Sequence, residues 1–176
     1  PAGFDWDLWL GPAPMRPFHK TYHPFGWRAW QDFGAGAMGD MGCHLLDGPF
    51  WALDLDKSIM TDIIKIEVDA EEAGEAHWPK ASTIKIHFPN VVLNWYDGGR
   101  KPPRPEGLEA GRNLSDGGFY IVGEKGAIYD QSDYCQSPRL IPETSHKEWI
   151  AKGPKKTLAR STHPGNPQAE WSHAIK

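Results

Sequence analysis

Asp40 and His44 stand four residues apart in the run Asp40-Met41-Gly42-Cys43-His44, and side chains so spaced project together from one face of a helix. An imidazole exchanges a proton near neutral pH, and a carboxylate beside it can orient the ring and stabilise its charged form. The pair reads in two ways: as an acid–base couple facing a substrate, or as an ion pair tying the start of a helix to a loop. Gly39 and Gly42 lower helix propensity and permit close approach of a ligand, which favours the first reading.

Other motifs carry less. Gly34-Ala35-Gly36-Ala37-Met38-Gly39 has the letters of a dinucleotide fingerprint, but Trp30-Gln31-Asp32-Phe33 precedes it where a Val/Ile strand belongs, and no βαβ unit surrounds it. It reads as a glycine-rich opening that lets a helix start close to a neighbouring backbone. His19 and His23 have metal-ligand spacing only on a helix, which Pro17 and Pro24 oppose, so no metal site is expected. Cys43 beside His44 would point about 100° away from it on a helix, which gives no nucleophile pattern. Arg100, Lys101 and Arg104 read as a solvated basic arm.

These residues need elements to position them. Gly39 to Leu53 has helical period, with Leu45, Leu46, Phe50 and Leu53 on one stripe and Asp40, His44, Asp47 and Trp51 on another; Gly48-Pro49 should kink or restart it. Strands are predicted at Ile59–Val68, Ala81–Phe88, Val91–Tyr96, Phe119–Val122, Ala127–Tyr129 and Arg139–Ile141. Asp97 to Gly118 reads as an excursion from the sheet edge. A helix is predicted over Ser145–Lys152, with Ser145 and Glu148 at capping-box spacing, and another after Asn166-Pro167. That last helix has no terminating Gly before Lys176, and the chain opens on Pro1, which reads either as a processed chain or as the middle of a longer protein. Residues 1–37, crowded with Pro, Gly and rings, read as a long ordered loop. The order of elements predicts an α+β, two-layer domain: an open, mainly antiparallel mixed sheet covered by helices on one face.

Composition bounds the function. The chain has 176 residues, about one domain's worth, and 39% are apolar. With 19 Lys and Arg against 23 Asp and Glu, the net charge of −4 argues against nucleic acid. No apolar run is long enough for a membrane helix, and the two Cys cannot form a disulfide framework. Nine Trp, five of them before residue 52, suit either a ligand-stacking surface or an aromatic core.

The segments Asp5-Trp6-Asp7-Leu8-Trp9-Leu10-Gly11-Pro12, Trp27-Arg28, Gly34 through Asp47 and Asn94-Trp95-Tyr96-Asp97-Gly98-Gly99 together resemble the C-terminal domain of the Gfo/Idh/MocA family, relatives of glucose–fructose oxidoreductase and inositol dehydrogenase. The resemblance spans nearly the whole chain. It implies a single substrate-binding and oligomerisation domain over 1–176, with a sheet like that of the C-terminal domains of dihydrodipicolinate reductase and glyceraldehyde-3-phosphate dehydrogenase. It further implies that NAD or NADP sits in an N-terminal Rossmann domain outside these residues, none being held by this chain alone. His44 would remove the hydroxyl proton of a sugar or polyol substrate, and Asp40 would orient it. His23, Trp27, Arg28, Trp95 and Tyr96 are the expected substrate contacts. The family's Glu-Lys-Pro lysine has no counterpart, since Gly126 follows Glu124-Lys125. Apolar Ile59, Ile63, Val92 and Tyr120, if they share a sheet face, imply a homodimer or tetramer. The alternatives are a relative that epimerises or hydrolyses glycosides with transient use of NAD, and a carbohydrate-binding or assembly module without chemistry. Neither membrane nor nucleic acid is an expected partner, and no residue pattern marks a cytoplasmic or an exported protein.

Overall fold

In a computed structural model of the chain, residues 2–55, 65–158 and 160–175 are described. Helices α1 (Trp6–Leu10), α2 (Gly36–Leu45), α3 (Asp47–Ala52), α4 (Glu143–Ala151) and α5 (Pro167–Ile175) flank the strands β1 (Lys65–Ala70), β2 (Ser82–His87), β3 (Val92–Tyr96), β4 (Phe119–Gly123), β5 (Gly126–Asp130) and β6 (Arg139–Ile141). The α+β class is as expected, but the strands form two three-stranded sheets, β1-β2-β3 and β4-β5-β6, where one mixed sheet was predicted. Every pairing among them is antiparallel. The connections from β2 to β3, β4 to β5 and β5 to β6 are too short for the dozen or so residues a parallel crossover needs. Ile59 to Ile64, in the first predicted strand, lie outside the described residues.

The pleat sorts the first sheet into two unlike faces. Ile84 and Ile86 on β2 stand opposite Trp95 and Leu93 on β3. With Leu55 and Phe88 they form a core, onto which Met38, Met41, Leu45 and Leu46 of the α2 segment and Phe50 of α3 pack. The opposite face is polar. There Val92 shares its register row with His87 and Lys65, and Asn94 with Lys85 and Glu67. His87 and Lys65 both meet the Glu67 carboxylate, at 2.7 and 3.1 Å. The second core holds Leu108, Ala127, Tyr129 and Ile141, with Tyr120 against it. Val92 and Tyr120 therefore do not share an apolar sheet face.

Leu108 brings the 97–118 segment into that second core, so the segment is packed and not a free arm. Its cations are spent internally. Arg100 meets Asp69 at 3.0 Å and Lys101 meets Asp116 at 2.8 Å, while Arg104 donates to the carbonyls of Leu108, Glu109 and Arg112.

The aromatic segment has its own order. Asp5 caps α1 by accepting from the Leu8 N–H at 3.1 Å, and α1 escaped the period reading because five residues make little more than one turn. Trp6 stacks on Trp9 with centroids 4.8 Å apart, and buried Tyr22 meets Trp6, Trp30 and Phe33. These half-buried rings pack around Tyr22 and face one another.

Helix α4 starts at Glu143, two residues before the predicted Ser145, and the capping box is not formed. The Glu143 N–H donates instead to Glu109 Oε1, and the Glu143 carboxylate grips Arg139, with Nε to Oε2 at 2.8 Å. The Asn166 cap is as expected, its Oδ1 accepting from Ala169 N–H at 3.0 Å. Hydrogen bonding to Arg139 pulls the Glu143 carboxyl from its ordinary 4.5 down to about 2. A depressed acid stabilises the fold above its unfolded-state pKa, and that contribution is lost as pH falls through the folded one. Wild type should therefore lead Glu143→Gln in urea midpoint at pH 6, with the lead shrinking between pH 4.5 and 2. A lead of constant size down to pH 2 would contradict this account.

Candidate functional site

The site is built where the aromatic segment meets α2. A 3₁₀ turn, Gly26–Ala29, follows the buried Tyr22, whose carbonyl accepts from Trp27 N–H at 2.8 Å. The turn presents Arg28 with its guanidinium carbon 4.3 Å from the Phe25 ring centre and 4.4 Å from that of Trp27. Flanked by two rings, the cation is pre-oriented. Its Nε lies 3.2 Å from Asp40 Oδ2. The loop-to-helix ion pair foreseen as one reading of Asp40 thus forms, with Arg28 as partner. Both side chains are about one-third exposed, at 32% and 37%, so the pair adds at most about 1 kcal/mol of stability.

His44 lies one turn further along α2 and is exposed. Its ring meets Tyr134 edge to face, with centroids 4.9 Å apart and planes at 64°. Tyr134 was not found from sequence, because it comes from the loop after β5, ninety residues downstream. Cys43 Sγ contacts the Asp40 carbonyl oxygen at 3.5 Å, within its own helix. Cys135 is packed near Gly48, and burial, aided by the Asp130 and Asp47 carboxylates, pushes its thiol pKa up. That environment favours the unreactive thiol form.

The remaining expected contacts are dispersed. His23 is exposed, its ring 5.8 Å from that of Phe4. Trp95 is 6% exposed and belongs to the core; its Nε1–H donates to Asp97 Oδ2 at 2.7 Å, and Asp97 also accepts from Ser82 N and Oγ, both at 2.6 Å. Tyr96 lines a cavity of about 430 Å³ with Leu45, Leu46, Trp95 and Tyr120, between the two sheets and the α2–α3 junction. Neither Asp40 nor His44 lines that cavity. Among the described residues, no three His, Cys, Asp or Glu side chains are grouped to hold a metal ion.

The glycine run does not fit a dinucleotide. A Cβ at Gly34 would lie 2.6 Å from Arg28 Cα, and one at Gly36, where φ is +69°, would lie 2.9 Å from Trp78 Cγ. The Trp78 Nε1–H donates to the Gly34 carbonyl at 2.8 Å. These glycines admit the chain's own backbone and an indole, with no preceding strand to aim a phosphate at them.

A family model described as the C-terminal alpha/beta domain of the Gfo/Idh/MocA oxidoreductase family matches residues 1–156. No curated protein matches the chain.

If the glycines serve packing, Gly34→Ala should cost stability without touching nucleotide affinity. The expected loss is about 1–3 kcal/mol, the usual cost of overpacking, read from urea denaturation. Calorimetric titration of this chain with NAD⁺ should show no low-micromolar binding, before or after the substitution. Such binding in wild type, lost in Gly34→Ala, would reassign the run to phosphate.

Proposed function

The chain belongs to the Gfo/Idh/MocA oxidoreductase family as its C-terminal alpha/beta domain, and from that premise we propose that it supplies the substrate-binding and catalytic face of an NAD(P)-dependent enzyme oxidising a secondary hydroxyl of a sugar or polyol. The observation that carries this reading is an exposed His44 one helical turn from an Asp40 whose carboxylate a ring-stacked Arg28 holds in place. Oxidation of a secondary alcohol releases a proton from oxygen and a hydride from carbon. The proton falls to this chain: neutral His44 accepts it from the substrate hydroxyl, and Asp40 takes a hydrogen bond from the substrate while Arg28 fixes its direction. Trp27 and Arg28 border this face and are the proposed substrate contacts. Trp95 is left out because it is spent on the core. The hydride acceptor, NAD or NADP, is assigned to a domain outside these residues, since the glycine run does not suit it.

The exposure of both groups matters. A histidine sealed in the core could neither meet a substrate nor return its proton to water, whereas this one can do both.

In the intact enzyme, His44→Ala should lower kcat by about 10²–10⁴-fold, the usual contribution of a positioned general base, with cofactor affinity nearly unchanged. The assay uses the fastest substrate from a panel of hexoses and cyclic polyols. Asp40→Asn should cost less in kcat and, because its ion pair is solvent-facing, no more than about 1 kcal/mol in stability. Equal kcat in wild type and His44→Ala would leave Asp40 and His44 as structural groups.

A further inference from the structure

We infer that Tyr134 is the positioning residue for His44, delivered to α2 by a loop that β5 anchors. The inference rests on the reading of His44 as a base for its catalytic consequence, but not for its geometry. The anchor is Asp130, the last residue of β5, whose carboxylate is fully buried. Its Oδ1 accepts from Ser132 N–H at 2.7 Å and from Ser132 Oγ at 2.6 Å, and its Oδ2 accepts from Ser137 N–H at 2.9 Å. The Ser132 hydroxyl in turn accepts from Gln136 N–H at 2.9 Å. One carboxylate thus closes residues 131–137 into a compact turn.

That turn is seated against the helix carrying His44. Cys135, at φ +51°, tucks against the α2–α3 junction, where a Cβ on Gly48 would lie 2.5 Å from its sulfur and 3.1 Å from its Cβ. A Cβ at Gly48 would force Cys135 to shift. With Cys135 seated there, the adjacent Tyr134 meets the His44 ring edge to face at 4.9 Å. Tyr134 is 57% exposed and His44 is exposed too, so this contact covers little surface. A free imidazole on an exposed helical position samples several rotamers, and a steeply tilted ring beside it selects among them. The loop therefore sets the direction of the nitrogen that meets a substrate.

The test separates orientation from chemistry. In the full chain with labelled histidine, side-chain couplings should report one dominant χ1 rotamer of His44 in wild type and in Tyr134→Phe, and averaged rotamers in Tyr134→Ala. The ring-current shift of the His44 signals should be lost only in the alanine variant. The His87 and His146 signals should stay unmoved, as evidence that the fold is intact; if Tyr134→Ala does not fold, Tyr134→Leu serves the same comparison. In the intact enzyme, with the substrate selected above, Tyr134→Ala should lower kcat about four- to sixfold, the two or three χ1 wells multiplied by the roughly two χ2 settings reopened, leave KM nearly unchanged, and be rescued by Phe. A single His44 rotamer and an unchanged ring shift in the non-aromatic variant would overturn the inference. Loss of rotamer order together with an inert His44→Ala would uphold the positioning and overturn the base assignment instead.

Discussion

Helix α2 has ten residues, three of them glycine, and no side-chain cap at its start. Against alanine, the two interior glycines, Gly39 and Gly42, cost about 2 kcal/mol, and a helix this short is marginal in water even with good residues. Such a helix exists only where its surroundings hold it. Met38, Met41 and Leu45 press one side onto the first sheet. The Arg28–Asp40 pair ties it to the aromatic segment, and the turn pinned by Asp130 leans on it through Tyr134 while Cys135 of the same turn packs on Gly48 of α3. Asp40 and His44 are therefore placed by three separate parts of the chain, and the helix contributes mainly their spacing.

This explains which parts of the structure were legible in the sequence. Strand alternation is local, so β2 and β3 were found within a residue of their ends, and the Asn166 cap was readable from two adjacent letters. The Asp40–His44 spacing was equally local. What went unseen depends on distant pairs. Glu109 caps α4 across 34 residues, and with that cap available the helix has no need of Ser145. Leu108 draws the supposed arm into the second core, which no charge pattern announces. Tyr134 reaches His44 only because a buried carboxylate folds the loop that carries it.

The aromatic content shows a different kind of failure. Counting rings cannot say whether they face a ligand or one another, and Trp6, Trp9, Tyr22, Trp30 and Phe33 largely face one another. Trp95 belongs to the same lesson, since its indole N–H is consumed by Asp97, which also holds Ser82 at the far end of the hairpin. The Trp95-Tyr96-Asp97 run, part of the family resemblance, is thus a device for closing β2 on β3.

A comparable reassignment applies to the glycine run, and it bears on how the reaction is divided. Gly34 and Gly36 are occupied by Arg28 and Trp78, the former being the residue that holds Asp40. The close backbone approach that would elsewhere admit a pyrophosphate here brings the arginine turn against the start of α2. Filling that gap with a nucleotide would displace Arg28 and release the carboxylate beside the proposed base. One segment cannot both cradle phosphates and position Asp40, so a dinucleotide that serves this face must approach from another part of the protein and leave the Arg28 turn in place.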